Sequence, residues 1–404
     1  MSEHALDAAN WLDHLIPKVT ANLDNDFDDA RYDLLSPDDT FFVSSMCFVK
    51  IIANSSRKDA PKDKSLSVVV KKPPQSVAVR EMLSADAQFH NEILFYRKYA
   101  MDSDEFPRFI YADEKPPTDT VLVLENIGQW GYSLCQWRYN VPVEYTLAAF
   151  REIARFHAKG YVMKQRRREE FFKLVGDIWE SRYDKNPDNG MKLVIKATAT
   201  RAVDYLRDHG HDKLACDKLE AYLDDAYENI VLKSIEPEEP LSTLCHGDFT
   251  LNNTFFKREN GQVKAMFIDF ALMRYGSPII DLTTFLCLHC AENLDKEMLD
   301  TVLRAYHDSL EQRLAEDGIE DCDKFSYESL REEYKRKGLL GFIIASFFLA
   351  LLMGKSDQTP EEFAELDVEV WTRIMRELGG DEISEILANL LLKMQEFGCL
   401  DHVM

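Results

Sequence analysis

The first 127 residues of this chain contain no glycine; all 16 glycines lie from Gly128 onward. Glycine reaches left-handed backbone without steric penalty, so tight turns and close backbone approaches form most readily where it is present. The break at Gly128 is therefore a break in composition. The glycine-free stretch holds runs of β-branched and aromatic residues at 41–52 (FFVSSMCFVKII), 66–71 (LSVVVK) and 121–125 (VLVLE), parted by polar or proline-bearing segments. That is the composition of strands. Between the second and third runs, residues 84–100 read as a helix, with Ser84 as N-cap, Asp86 in the first turn, and Phe89, Ile93, Tyr96 and Ala100 along one face.

Beyond Gly131 the periodicity turns helical, as in 144–159 (EYTLAAFREIARFHAK), and Gly160 is expected to close that helix in the left-handed conformation. One sheet element interrupts. Residues 254–257 and 263–268 are β-forming, and Asn260-Gly261 between them is the strongest hairpin signal in the chain. After Asp281 the sequence reads as helices. The expected architecture is α+β and bilobal, because 404 residues exceed what one hydrophobic core organises. A small antiparallel β lobe with one key helix spans 1–125, and a larger, mainly helical lobe spans 126–404.

Charge narrows the partners. With 48 Lys and Arg against 71 Asp and Glu, the formal charge is −23, which excludes a generic binder of nucleic acid or anionic membrane. An apolar fraction of 46% excludes wholesale disorder. The first 40 residues hold 10 acidic and 2 basic side chains, unlike any targeting peptide. The cysteines are dispersed, several in apolar runs, and read as reduced core residues. A cytoplasmic location is expected, with no obligate protein partner evident. The apolar run 339–354 is 16 residues long, short of the ~20 that span a bilayer, and reads as a buried helix. Cys287-Leu288-His289-Cys290 imitates a metal-ligand spacing, but a single pair within an apolar run reads as core.

The chemistry concentrates in 245–270, CHGDFTLNNTFFKRENGQVKAMFIDF. Counted from the turn, Asn253 and Asp269 fall at the same end of the ribbon, where opposed strand residues sit about 5 Å apart. Two side chains at that spacing can share a divalent cation. Asp248 lies on the loop leading into the same end. A hard ion such as Mg²⁺ takes oxygen ligands, and phosphoryl transfer needs one carboxylate for the hydroxyl proton and two groups for metal. Taken singly, each of these residues has a plainer reading as a turn former, helix cap or exposed loop acid. Their joint order carries the chemistry.

His246-Gly247-Asp248 with Asn253, then Ile268-Asp269-Phe270, resembles the catalytic loop and metal-binding motif of the protein-kinase-like superfamily in its small-molecule form, as in aminoglycoside and choline kinases. Adding VVVK ending at Lys71, FHNEILFY containing Glu92, VLVLENI, IARFHA around His157 and FIDFALMRYGSPIIDLTTFL, the chain resembles the ecdysteroid kinase-like family, also called CHK kinase-like, over roughly residues 40–355. The resemblance implies a protein-kinase-like bilobal fold. It also implies an ATP- and Mg²⁺-dependent kinase acting on a hydroxyl of a small organic acceptor, an ecdysteroid or comparable lipophilic alcohol. Asp248 would be the catalytic base, and Asn253 and Asp269 would hold Mg²⁺. Lys71 would reach the α and β phosphates and be held by Glu92, with Lys72 as the fallback. Glu125, Asn126 and Ile127 would form the hinge for the adenine edge, and Asp281 would tie the catalytic loop in place.

Protein kinases cover the phosphates with a glycine-rich loop. Here the equivalent turn is expected between Leu35 and Ser45, with Ser44 and Ser45 offering hydroxyls or amides. His246 and His157 read as loop-shaping and core residues. Trp130, Tyr132, Trp137, Phe347 and Phe348 are an aromatic supply for an acceptor pocket. Three other readings stand beside this one: a protein kinase, against which Gly247 stands where protein kinases usually have Arg and no Ala-Pro-Glu follows Asp269; a choline- or amino-sugar-type kinase, which the acidic balance suits; and a catalytically weak binding protein of the same fold.

Overall fold

The strand-forming runs of the glycine-free stretch assemble, with two further segments, into a five-stranded antiparallel sheet. Its strands are β1 (Arg31–Leu35), β2 (Ser45–Ile52), β3 (Ser65–Lys72), β4 (Phe109–Asp113) and β5 (Val121–Glu125), in the order β1-β2-β3-β5-β4. The computed structural model describes residues 3–23, 27, 30–35, 45–53, 64–101, 103–183, 190–319 and 323–404, so 41–44, including Ser44, lie outside the described residues. The chain divides into two units, Met1–Ser133 and Leu134–Met404.

In the first unit, helix α1 (Glu3–Thr20) covers one sheet face. Its Leu12, Leu15, Ile16 and Val19 pack with Val49, Ile51, Leu66, Val68 and Val70. Each such side chain withdrawn from water contributes about 1.5–3 kcal/mol before the entropy of ordering it. Strand alternation sends Val69 and Lys71 to the opposite face. There α3 (Ala85–Lys98) follows directly on α2 (Val77–Leu83). Ser84 occupies the N-cap position of α3, but it caps nothing with its side chain. It adopts the left-handed conformation (φ 53°) to end α2, donating its N–H to the carbonyls of Arg80 and Glu81. One residue cannot both terminate a helix that way and take the extended backbone of a side-chain N-cap. The first unit also continues past Glu125. The N–H of Asn126 donates to the Ser67 carbonyl at 2.9 Å, and Gln129 Oε1 accepts the Ser67 N–H at 3.3 Å.

The second unit is mainly helical. Its longer helices are α4 (Val143–Arg166), α5 (Arg168–Gly176), α6 (Gly190–Asp208), α7 (Lys213–Leu223), α8 (Ile279–His289), α9 (Lys296–Glu316), α10 (Tyr327–Lys337), α11 (Leu339–Leu352), α12 (Val368–Glu377) and α13 (Gly380–Glu396). α4 does not stop at Gly160. A Cβ there would lie 2.3 Å from Thr243 Oγ1 and 3.2 Å from the Leu244 nitrogen, so the glycine lets α4 press against strand β6 (Thr243–Cys245) instead of ending the helix. The apolar run forms the buried α11, packed on α8. No helix among the described residues is long and apolar enough to cross a membrane. Nor does any described cysteine form a disulfide.

The hairpin forms as read. β7 (Thr254–Glu259) pairs with β8 (Gln262–Phe267), and Asn260 (φ 51°) and Gly261 (φ 80°) supply the two positive φ angles of a type I′ turn. β9 (Arg274–Gly276) returns antiparallel to β6. The segments 246–253 and 268–273 are thereby the links between these two small ribbons.

Candidate functional site

In the first unit, Lys71 Nζ lies 2.6 Å from Glu92 Oε2, with side chains 9% and 2% exposed. A buried pair this short is a charge-assisted bond, which fixes the ammonium as an oriented positive charge. Lys72 faces the other way. The alternation that points Lys71 at α3 points Lys72 at α1, where its ammonium stands 4.1 Å over the Trp11 ring. Ser45 is exposed and pairs in register with Lys72. The residues read as a hinge are bound within their own unit. Glu125 Oε1 accepts from Gln129 and from Trp130 Nε1, Asn126 Nδ2 donates to Ser67 Oγ, and Asn126 Oδ1 accepts the Gly128 N–H. Trp130 thus serves this turn.

In the second unit the loop after β6 is held from beneath by α8. Asp281, fully buried, accepts the N–H of His246 at 2.7 Å on Oδ2 and that of Gly247 at 2.8 Å on Oδ1, while His157 Nε2 lies 2.9 Å from Oδ2. His157 Nδ1 bonds the Tyr306 hydroxyl, so both ring nitrogens are satisfied inside the core. Gly247 sits at φ 81°, and a Cβ there would fall 1.8 Å from the Leu272 carbonyl oxygen. No other residue fits. His246 Nδ1 accepts the Asp248 N–H at 3.3 Å, which leaves Nε2–H to donate to the Ile268 carbonyl at 3.0 Å. The imidazole therefore ties the loop bearing Asp248 to the strand end bearing Asp269.

A second histidine performs a similar task. Burial pulls His289 down to about 4, so its ring is neutral. Its Nε2 accepts the Leu251 N–H at 3.0 Å, and Nδ1–H donates to the Arg138 carbonyl at 2.9 Å. The CLHC segment is core, as read: its cysteines are free and buried. Three buried groups, His157, Cys245 and Asp281, do gather within 4.8 Å of one another. Their polar atoms are already engaged, since Asp281 takes three donors and Cys245 Sγ lies 3.3 Å from the carbonyls of Gly276 and Ser277.

Asp248 and Asn253 meet directly. Asn253 Nδ2 donates to Asp248 Oδ2 at 2.8 Å and to the Asp248 carbonyl at 3.0 Å. With its nitrogen so placed, the amide turns its Oδ1 away from Asp248, an oxygen ligand of the class a hard cation takes. The β7–β8 register runs to Thr254↔Phe267, and the Ile268 N–H donates to the Asn253 carbonyl at 3.0 Å. Asp269 is thus one residue beyond the partner of Asn253, at the same open end, with a left-handed backbone (φ 65°) rare for a non-glycine residue. Such outliers persist where surrounding structure over-determines them.

One neighbour of Asp248 carried no sequence signal. Arg182, on the turn after α5, brings Nη2 to 3.5 Å from Asp248 Oδ1 and Nη1 to 3.5 Å from the Gly247 carbonyl. Its guanidinium stands 5.3 Å from the centre of the Phe348 ring. The turn itself is crowned by Glu180, whose Oε1 accepts the N–H groups of Ser181, Arg182 and Tyr183 at 2.9–3.1 Å. Burial alone would raise the Glu180 carboxyl, but Arg274 and these N–H groups hold it below the usual range. Of the aromatic residues read as a pocket supply, Phe347 is buried with Val194 and Met375, Phe348 is half-buried, and Trp137 packs on Tyr145.

The sequence model of the ecdysteroid kinase-like family matches residues 40–318. No curated protein sequence matches the chain closely enough to count as a relative. Similar solved structures include an aminoglycoside 2'-phosphotransferase in its GDP complex, 12% identical over 94% of this chain and 98% of that one, with a TM-score of 0.45. An ethanolamine kinase of Plasmodium vivax is 12% identical over 88% of this chain and 83% of its own, at TM-score 0.37. A microcompartment-associated aminopropanol kinase is 13% identical over 97% and 99%, at TM-score 0.40.

Proposed function

This chain belongs to the ecdysteroid kinase-like family and is a small-molecule phosphotransferase with an alcohol group as acceptor; from that premise we propose that it moves the γ-phosphoryl group of ATP to a hydroxyl of a lipophilic alcohol of the ecdysteroid kind. Asp248 orients the acceptor hydroxyl and takes its proton. The acceptor oxygen forms a bond to the γ phosphorus as the bond from that phosphorus to the bridging oxygen of ADP breaks. Little covalent work falls to the protein, so positioning and charge stabilisation supply most of the acceleration.

The observation that carries this reading is the Asp248–Asn253 contact at 2.8 Å on a loop whose backbone is clamped by the buried Asp281. Asn253 and Asp269 are the groups proposed to hold Mg²⁺, which when bound would neutralise charge on the phosphate oxygens. Lys71, pinned by Glu92, is the proposed partner of the α and β phosphates. At the hinge the Asn126 N–H already serves Ser67, so we assign adenine recognition to the carbonyl of Glu125 and the N–H of Ile127. Ile127 opens a 3₁₀ turn, a position with no internal acceptor for its N–H. Ser45 is kept as the described end of the phosphate-covering turn.

Asp248→Asn tests the assignment. Turnover with ATP and an accepted alcohol should fall by roughly 10² to 10⁴, the usual worth of a positioned base; near-normal turnover removes Asp248 from that role. An ATP-consumption screen over hydroxylated steroids, alkaloids and amino alcohols identifies the acceptor. The net charge of −23 would also suit a cationic acceptor such as choline, but the guanidinium beside Asp248 opposes one locally.

A further inference from the structure

We propose that Arg182 is a positioning residue for Asp248 and that its charge selects uncharged acceptors over ammonium-bearing ones; this deepens the alcohol-kinase reading and rests on it for the acceptor site. The two carboxylate oxygens of Asp248 are engaged from different sides, Oδ2 by the Asn253 amide at 2.8 Å and Oδ1 by Arg182 Nη2 at 3.5 Å. Held so, the carboxylate cannot swing about its terminal torsion without losing one partner. The Arg182 contact is longer than the 2.7–2.9 Å of a tight charge-assisted bond. Oδ1 is therefore steered by the guanidinium while retaining a lone pair for an incoming hydroxyl.

The turn carrying Arg182 is built, not incidental. Glu180 gathers three consecutive backbone N–H groups and pairs with Arg274, whose guanidinium stacks 5.1 Å over the Tyr183 ring. On its far side Arg182 stacks on Phe348, which belongs to an apolar cluster with Val194, Phe347, Met375 and Trp371 from α6, α11 and α12. A positive charge thus stands between the reacting carboxylate and an aromatic wall. A hydroxyl reaching Asp248 along that wall passes the guanidinium. An ammonium carried within about 7 Å of it would be disfavoured by roughly tenfold or more at the effective dielectric of a protein surface.

The test compares wild type, Arg182→Gln and Arg182→Lys on a polyhydroxylated steroid and on choline with ATP saturating, and with ATP varied at saturating steroid. Arg182→Gln should lower kcat for the steroid by about 10- to 100-fold, change the KM for ATP less than about threefold, and raise the choline-to-steroid ratio of kcat/KM at least about tenfold. Arg182→Lys should restore the ratio to within about threefold of wild type while recovering only part of kcat, because an ammonium cannot span both Asp248 and Gly247 as a planar fork does. If both variants are equally impaired with an unchanged ratio, or if neither parameter moves, the proposal is overturned. Should Arg182→Gln fail to fold, Arg182→Met keeps an apolar stem against Phe348 while removing the charge, and it should shift the same ratio in the same direction; an unshifted ratio then overturns the proposal. If wild type phosphorylates neither acceptor, the steroid-acceptor reading falls, and a double-mutant cycle of Arg182→Gln with Asp248→Asn in urea unfolding decides the pairing separately. Coupling of about threefold or more in the unfolding constant supports the pairing, and smaller coupling overturns it.

Discussion

Replacing Asp281 by Asn removes one oxygen and the charge from a group that serves three donors in a fully buried site. If the new NH₂ takes the Oδ1 place, it faces the Gly247 N–H, donor against donor. If it takes the Oδ2 place, it faces the His246 N–H, although His157 could change tautomer and accept. Either way one buried backbone N–H is left without an acceptor, which costs about 1–3 kcal/mol, and the two surviving bonds lose their charge assistance, about another 1 kcal/mol each. The total is about 3–5 kcal/mol, borne by the loop that carries Asp248. Hydrogen–deuterium exchange resolved to the amides of His246 and Gly247 reads this locally. At 1.4 kcal/mol per decade, protection there should fall by roughly 10² to 4 × 10³, while amides in the sheet of the first unit remain as in wild type. Turnover should fall with it, since Asp248 is then poorly placed. Protection within about threefold of wild type would refute the claim that Asp281 holds the loop.

The Lys71–Glu92 pair makes a different prediction, because breaking a buried ion pair is worse than deleting it. Lys71→Met should destabilise the chain by about 3–5 kcal/mol in urea unfolding, and Lys71→Met with Glu92→Leu should recover most of that while staying inactive; a single variant as stable as wild type would contradict the pairing. His289 sets a pH dependence. Its ring lies near 4 in the fold against 6.5 unperturbed, so as the pH falls the unfolded chain binds the proton first. The contribution is full above pH 6.5 and is lost between there and about pH 4, about 3 kcal/mol in all. Unfolding midpoints of wild type and His289→Gln across that range should converge as the pH drops, and parallel profiles would rule out the buried neutral imidazole.

Much of the fold was legible because it rests on relations between near neighbours. Runs of β-branched and aromatic residues located β2, β3 and β5, and Asn260-Gly261 specified a turn whose two positive φ angles few other pairs supply. Hairpin register is then arithmetic, which is why Asn253 and Asp269 could be assigned to one open end from the chain alone. The same local logic failed where a residue answers to a distant partner. Gly160 matches a helix terminator in every local respect, yet it sits inside α4 because β6 presses on it. Lys71 and Lys72 are equivalent along the chain, and only the placement of α1 and α3 on opposite sheet faces separates them.

The chemical groups of the candidate site, the amide and two acids, are therefore written in the order of residues, since backbone geometry propagates predictably over a single ribbon. Their surroundings are not. Arg182 reaches Gly247 across 65 positions, and Asp281 reaches His246 across 35. No periodicity links residues that far apart, and their meeting depends on how helices and ribbons pack. Which acids appear is a property of the chain; how firmly Asp248 is held, and beside which charge, follows from burial and packing in three dimensions.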